Sequence, residues 1–264
     1  MNFSIVIVSY NTEKLLEDCL ASIFSSLPSN DFEVIVVDNN SSDNSLVMIE
    51  KKFKNSVKII KNKSNIGFAK ANNQGGKIAQ GEYLFFLNSD TIIKDNILEI
   101  IRTIFKSNQG IGILSPQLLL KSGTKQGYAY GGFPNIINLF INKFRKISSN
   151  SSNTFLVDWV SGAALIIKKD IFNKISGFDE DFFMYFEDID LCKRVNNLGY
   201  RTAVTASATL IHLGGQSLSK NNTRKKYYYT AQDYFYRKHY GFLIMLILKI
   251  IRWPYKIMVF LKNK

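Results

Sequence analysis

The amino-terminal part of the chain repeats one pattern: a short apolar run, a polar cluster, then an apolar stripe at helical spacing. Phe3 to Val8 runs into Ser9-Tyr10-Asn11, after which Leu15, Leu16, Cys19, Leu20 and Ile23 mark one face of a helix. Asn11 or Thr12 is placed to cap that helix. Phe32 to Val37 runs into Asp38-Asn39-Asn40-Ser41-Ser42-Asp43, with a helix expected through about Phe53. Val57 to Ile60 leads to Asn65-Ile66-Gly67-Phe68 and a helix over 69–79. Leu84 to Leu87 stops at Asn88-Ser89-Asp90, and Ile92, Ile93, Ile97, Ile100, Ile101 and Ile104 continue in helical register. Continuous apolar runs suit strands buried on both faces. Their alternation with amphipathic helices predicts an α/β fold, a mainly parallel sheet with helices on both faces.

After Ile113 the texture changes. Residues 121–154 are rich in Gly, Ser, Asn, Lys and Tyr, with a turn at Gly131-Gly132-Phe133-Pro134. An amphipathic piece (Ile136, Ile137, Leu139, Phe140, Ile141, Phe144) and the basic Lys143, Arg145 and Lys146 interrupt it. The stretch reads as an insertion that either borders a cleft or is a plain surface excursion. Val157 to Lys169 returns to order, and its small Ser161-Gly162-Ala163-Ala164 core allows close approach of backbone or ligand. From Asp188 a helix is expected, with Leu191, Val195 and Leu198 buried and Gly199 as its stop. Asp190 and Arg194, four apart, are expected to pair on its surface. A strand over Thr202 to Thr205, resuming at Thr209 to His212, is followed by a basic run, Lys220 to Lys226, and a Tyr-rich helix to about Tyr240.

The last segment, 241–264, is apolar from Phe242 to Leu248 and then broken by Lys249, Arg252, Pro254 and Lys256. It is too interrupted for a secure membrane span. Lys249, Arg252 and Lys256 share one helical face, and Trp253 and Tyr255 favour a bilayer interface. An amphipathic helix lying on anionic lipid is the expectation. The alternative is a helix packed on the domain or on a partner subunit, as in a homodimer.

Charge sharpens the choice of partners. The 264 residues carry 34 Lys and Arg against 21 Asp and Glu, a net charge of +13. Such an excess favours nucleic acid, an anionic membrane surface or phosphorylated substrates. The basic residues form no aromatic-interleaved repeat, which argues against nucleic acid. No strand–helix turn carries G-x-G-x-x-G or a P-loop, so nicotinamide and ATP enzymes are disfavoured. Cys19 and Cys192 are far apart in helical patterns, so free thiols and a reducing compartment are expected. The amino terminus enters a strand without a basic leader, and a cytoplasmic protein is expected.

The candidate chemistry lies at strand ends. Asp90 follows a central strand at the edge where open α/β sheets bind ligands, and its carboxylate can hold a hard divalent cation against a diphosphate. Read singly, Asp90 and Asp188 can each be helix caps, Asp38 a turn residue, and His212 a satisfied core histidine.

Together the sites form an ordered series: V-S-Y-N, V-V-D-N-N-S-S-D, N-I-G-F-A-K-A-N-N, F-L-N-S-D, W-V-S-G-A-A, F-M-Y-F-E-D-I-D-L-C-K-R and H-L-G-G-Q-S. This series, over about residues 3–240, resembles the inverting family 2 glycosyltransferases of the GT-A fold, a Rossmann-like architecture, and in particular their rhamnosyltransferase-like branch. The resemblance implies one domain over 1–240, with a nucleotide-sugar half at 1–115 and an acceptor half at 116–240, and 241–264 as a membrane-proximal tail. It implies that Asp38 reads the imide of uracil or thymine and that Asp43 supports the same loop. Ser9, Tyr10, Asn11, Asn40, Asn65, Gly67, Phe68 and Asn73 would line the nucleotide pocket, with Asn88, near the ribose and metal, and Ser89 also binding the donor. Asp90 matches the last residue of the D-x-D motif and would ligate Mg2+ or Mn2+, while His212 would contact that metal or the diphosphate. Asp188 matches the catalytic base of the E-D motif, with Glu187 beside it. Trp159 and Gly162 would face the acceptor, and Arg224, with Lys225 and Lys226, would either close over the diphosphate or form a solvated basic loop. Asn88 replaces the first Asp of D-x-D, as is usual in that branch. The implied activity is transfer of L-rhamnose from dTDP-rhamnose to a hydroxyl of a growing, polyprenyl-linked surface glycan at the inner face of the cell membrane. The alternatives are a UDP-sugar donor (galactofuranose or GlcNAc) and an inactive glycan-binding scaffold. A scaffold has no need of Asp188, so its presence favours the enzyme.

Overall fold

A computed structural model of the chain describes residues 2–28, 30–135, 153–214 and 221–262. The amphipathic piece read at 136–144 and the basic Lys143, Arg145 and Lys146 lie outside the described residues.

The strands are β1 (Phe3–Ser9), β2 (Phe32–Asp38), β3 (Val57–Lys61), β4 (Tyr83–Asn88), β5 (Thr91–Ile93), β6 (Ile111–Leu119), β7 (Tyr130–Gly131), β8 (Thr154–Val157), β9 (Trp159–Val160), β10 (Ala164–Lys168) and β11 (Arg201–His212). The helices are α1 (Glu13–Ser26), α2 (Ser45–Lys52), α3 (Phe68–Ile78), α4 (Leu98–Ser107), α5 (Lys169–Lys174), α6 (Glu187–Asn197), α7 (Asn221–Tyr240) and α8 (Phe242–Lys262).

The main sheet runs β3-β2-β1-β4-β10-β6-β11-β5, with β8 also paired to β11. The strands β3, β2, β1 and β4 are parallel, as the alternation with helices predicts. β10 enters antiparallel between β4 and β6, so both halves of the chain share one sheet. Period-two alternation splits the core into two layers. Ile5, Ile7, Phe85 and Leu87 face α1, α2 and α4, while Val6, Leu84 and Phe86 face α3, α5 and α6. α3 lies directly on β1: a Cβ on Gly75 would stand 2.3 Å from Val6 Cγ1, so only glycine permits this approach. Cys19 and Cys192 are free and buried, and burial pushes both thiols up to about 12.

Four expectations change. Leu198, expected on the buried face of α6, follows the helix end and is 41% exposed. Ile92 and Ile93 are not the start of a helix; they form β5, antiparallel to the end of β11, and α4 begins only at Leu98. The β-branched Thr91-Ile92-Ile93 finds a strand partner more than a hundred residues away, which outweighs the local helical spacing. Asp190 does pair with Arg194, but it is fully buried rather than on the helix surface. In the tail, Arg252 points inward, where it pairs with Asp233 of α7 and donates to Gln232 Oε1 at 2.7 Å, while the exposed Lys249 reaches the same Asp233. Met245 and Leu248 seat α8 on the domain. The outward face is apolar instead: Leu243, Ile250 and Trp253 are 73%, 71% and 66% exposed. Among the described residues, no helix is long and apolar enough to cross a membrane.

Candidate active site

The carboxyl ends of β1, β2 and β4 open side by side, because those strands are parallel and in register from Phe3, Phe32 and Tyr83. Two loops at this edge are stitched together through Asn11. Its backbone is left-handed (φ 54°), its N–H donates to Ser41 Oγ, and its side-chain oxygen accepts the Ser42 N–H at 2.7 Å. Asn40 is also left-handed (φ 66°) and exposed, a conformation that asparagine tolerates. Tyr10 is half-buried beside them. Ser9 Oγ lies 3.0 Å from Thr12 Oγ1, so Thr12 is turned away from the helix it precedes. Asp43 does the capping for both helices: its carboxylate accepts the Glu13 N–H at 2.8 Å and the Ser45 N–H and hydroxyl. Burial opposes its charge, but those hydrogen bonds outweigh it and hold the carboxyl below its ordinary range.

Asp38 closes β2 almost completely buried. One oxygen accepts the Ser41 N–H at 3.0 Å, while Oδ1 is buried with no hydrogen-bond partner among the described residues. An unpartnered carboxylate oxygen is costly unless a ligand N–H meets it. Beside it, Asn39 bonds Asn62, Asn65 and the Gly67 carbonyl, and Asn65 Oδ1 accepts the Gly67 N–H. Gly67 has φ +89°, and a Cβ there would stand 2.6 Å from the Phe183 carbonyl oxygen. The Phe68 N–H donates to that same oxygen at 2.7 Å, so this loop is latched to the one before α6. Asn73 is a second latch: its amide bonds the Phe178 backbone in both directions. Asn39, Asn62 and the Phe183 carbonyl were not singled out by the sequence.

The E-D pair begins α6. Tyr185 and Phe186 before it are both left-handed (φ 71° and 65°), a strained conformation for aromatic residues that re-aims the chain into the helix. Asp188 Oδ2 accepts the Gly162 N–H at 2.9 Å, and Oδ1 accepts the Ile189 N–H at 2.8 Å. A Cβ on Gly162 would meet Phe68 and Asp188, so this glycine sits between the 65–68 loop and the start of α6. One residue on, the Ala163 carbonyl accepts the Asn88 N–H at 3.0 Å. The 161–164 turn therefore ties Asp188 to the Asn88-Ser89-Asp90 turn. Burial raises Asp188 above the ordinary carboxylate range against the pull of its two N–H donors. Burial, then the charge of Asp188, raise Glu187 well above that range, and its Oε2 has no hydrogen-bond partner among the described residues.

Asp90 and Ser89 are buried at the end of β4. The β5–β11 pairing sets His212 opposite Thr91, and the Leu213 N–H donates to the Asp90 carbonyl at 2.9 Å. His212 Nε2 thus stands 3.2 Å from Asp90 Oδ1, but without the alignment of a hydrogen bond, and it is buried with no such partner among the described residues. A carboxylate oxygen and an orphaned imidazole nitrogen side by side fit two ligands of a divalent cation, although no group of three or more His, Cys, Asp or Glu comes together among the described residues.

Other named residues take supporting places. The Trp159 indole donates to the Gly132 carbonyl at 3.0 Å and lies against Gly131. Arg224, half-buried on α7, is near enough for its charge to act on the Tyr185 phenol, while Lys225 and Lys226 are exposed. Asp190 holds α7 to α6: it takes Arg194 Nε, Lys238 Nζ and His239 Nε2, each at 2.7 Å. Burial opposes its charge, yet His239, Arg194 and Lys238 outweigh that and hold it at about 2.

Residues 4–176 match the family model described as Glycosyl transferase family 2. Among curated relatives, Rhamnosyltransferase WbbL of Escherichia coli (strain K12) is 30% identical over 143 residues, covering 51% of this chain and 53% of its own length. The N-acetylglucosaminyl-diphospho-decaprenol L-rhamnosyltransferase of Mycobacterium tuberculosis is 25% identical over 241 residues, covering 82% of this chain and 78% of its own. Among solved structures, GalNAc-T7 with UDP, GalNAc and Mn2+ superposes with a TM-score of 0.68 at 16% identity, over 89% of this chain and 50% of that one. The chain spans about half the length of the E. coli relative.

Proposed function

The chain belongs to glycosyl transferase family 2, and we propose that it transfers L-rhamnose from dTDP-rhamnose to a hydroxyl of a polyprenyl-linked glycan. The observation that carries the reading is the backbone bridge through Gly162 and Ala163, which joins the buried base Asp188 to the Asp90 turn. The choice of rhamnose is supported by the two rhamnosyltransferase relatives, and the lipid-linked acceptor by the name of the mycobacterial one. A UDP-sugar donor is the second reading, supported by the UDP in GalNAc-T7. Thymine and uracil differ by one methyl and offer the same imide N–H to Asp38 Oδ1.

In the reaction Asp188 takes the proton of the acceptor hydroxyl as that oxygen attacks the anomeric carbon. The bond to the diphosphate breaks on the opposite face, so one displacement inverts the configuration and a β-linked donor gives an α-L-rhamnoside. Burial, then the charge of Asp188, raise Glu187 further than burial raises Asp188, which favours Asp188 as the member of the pair that ionises first. Asp90 and His212 would hold Mg2+ or Mn2+, whose contribution is to neutralise charge on the departing nucleoside diphosphate. Arg224, with Lys225 and Lys226, would in this reading close over the diphosphate and add positive charge there. In this reading α8 rests on anionic lipid through Leu243, Ile247, Ile250 and Trp253, drawn there by the net charge of +13.

A thermal-shift panel tests the class. dTDP or UDP should stabilise the protein only when Mn2+ is present, since a ligand of the folded state raises apparent stability. Asp90→Ala should melt as the wild type does and lose that response. An Asp90→Ala protein with an unchanged Mn2+-dependent shift would refute the assignment.

A further inference from the structure

Gln126 carries no assigned role, yet among the described residues it is the hydrogen-bond partner of the His212 ring. It sits just past a tight hairpin, where its N–H donates to the Leu118 carbonyl at 2.9 Å and Leu119 bridges to Lys125. Its side-chain oxygen lies 2.9 Å from His212 Nδ1. A neutral imidazole has one donor nitrogen and one acceptor, and an amide oxygen only accepts. A neutral ring that bonds this oxygen carries its hydrogen on Nδ1 and keeps a bare lone pair on Nε2.

That lone pair is the buried atom 3.2 Å from Asp90 Oδ1. Two acceptors facing each other are unfavourable unless something positive lies between them. Without Gln126, the carboxylate would draw the hydrogen to Nε2 and close the pair as an ordinary Nε2–H to Asp90 hydrogen bond. The imidazole would then have no lone pair to offer a metal. Histidines that ligate metals commonly donate their other N–H to an oxygen acceptor, which fixes tautomer and ring orientation.

We propose that Gln126 is a positioning residue: it holds His212 in the Nδ1–H tautomer so that Nε2, with Asp90, is presented to a divalent cation. The cation rests on the functional reading above, whereas the tautomer can be read without metal, donor or turnover.

The test is nitrogen NMR of the full chain with 15N-labelled histidine, free of metal, near pH 8, where an ordinary imidazole is neutral. The sequence has only two histidines, His212 and His239, and the His212→Gln spectrum identifies which ring is which. The wild type should show a protonated-type Nδ1 and an unprotonated-type Nε2 at His212. Gln126→Leu should move the hydrogen to Nε2, whereas Gln126→Glu, which keeps an acceptor, should leave it on Nδ1. In the presence of dTDP or UDP, the Kd for Mn2+ should rise about 10- to 100-fold in Gln126→Leu and stay near wild type in Gln126→Glu. The His239 signals and the melting temperature should not change, which separates repositioning from unfolding. A wild-type His212 that carries hydrogen on Nε2, in a neutral or charged ring, would overturn the inference. So would a Gln126→Leu protein with the wild-type spectrum. If the tautomer switches as expected and the wild type binds no Mn2+, the metal reading falls and the tautomer assignment stands.

Discussion

Asp188→Asn separates chemistry from stability more sharply than any other single change. In the folded protein the carboxylate accepts two N–H donors, from Gly162 and Ile189, in a site where burial raises it above the ordinary range. An asparagine oxygen keeps one of those bonds, and its amide faces the other donor, a loss of about 1–2 kcal/mol. Against this, the charged carboxylate is itself unfavourable in the fold. Its folded-state pKa is raised, so ionisation withdraws stability as pH climbs from the unfolded carboxylate range through the folded value. Removing that charge offsets part of the lost hydrogen bond, and the melting temperature at neutral pH should change by only a few degrees. Turnover should fall far more. Loss of a general base costs about 100- to 10,000-fold, or about 3–5 kcal/mol of barrier. The wild-type kcat/KM should rise with pH as Asp188 ionises, and that limb should vanish in the variant. Glu187→Gln should cost less if Glu187 only supports the base, since burial and the charge of Asp188 disfavour its ionised form. The assay is the initial rate of nucleoside diphosphate release across pH, beside thermal melts of the same samples. Near-normal turnover in Asp188→Asn with a dead Glu187→Gln would refute the assignment and move the base to Glu187.

Two further outcomes follow from the helices that back the site. A carboxyl held at about 2 instead of its ordinary 3.8 contributes about 2 kcal/mol above the unfolded range, lost as pH falls from about 4 through 2. Asp190→Asn also leaves Arg194, Lys238 and His239 together without their carboxylate, so at pH 7 it should cost about 3–5 kcal/mol. Melts in urea should show the gap to wild type narrowing between pH 4 and 2; a gap independent of pH would contradict the pairing. For the tail, Leu243→Lys with Ile250→Lys should release the protein from vesicles rich in anionic lipid, and high salt should weaken wild-type binding. Unchanged binding would contradict a lipid-facing row, and a change in oligomeric state would assign that face to a second copy.

The parallel half of the sheet was legible because its signals are local. Asp38 and Asp90 each follow an unbroken apolar run, and such a run has few fates other than a buried strand. Glu187 and Asp188 were legible as a helix start for a similar reason, since Leu191 and Val195 repeat behind them. What failed depended on distant partners. Ile92 and Ile93 keep helical spacing with Ile97, and only β11 makes them a strand. The spacing of Asp190 and Arg194 predicts their pairing but says nothing of Lys238 and His239, which bury it. Lys249 and Arg252 were assigned to lipid because Asp233, which pairs with both and turns Arg252 inward, lies on another helix. Gln126 had no local signal at all: it matters through His212, 86 residues on.

The most direct measurement of the central claim is the product itself. The purified chain, with Mn2+, is given dTDP-rhamnose and a polyprenyl-diphosphate GlcNAc acceptor, and the product's anomeric carbon–proton coupling is read by NMR. The account predicts an α-L-rhamnoside, formed with the wild type and lost with Asp188→Asn. A β-linked product would contradict single displacement, and donor binding without transfer to any glycan would contradict the enzyme.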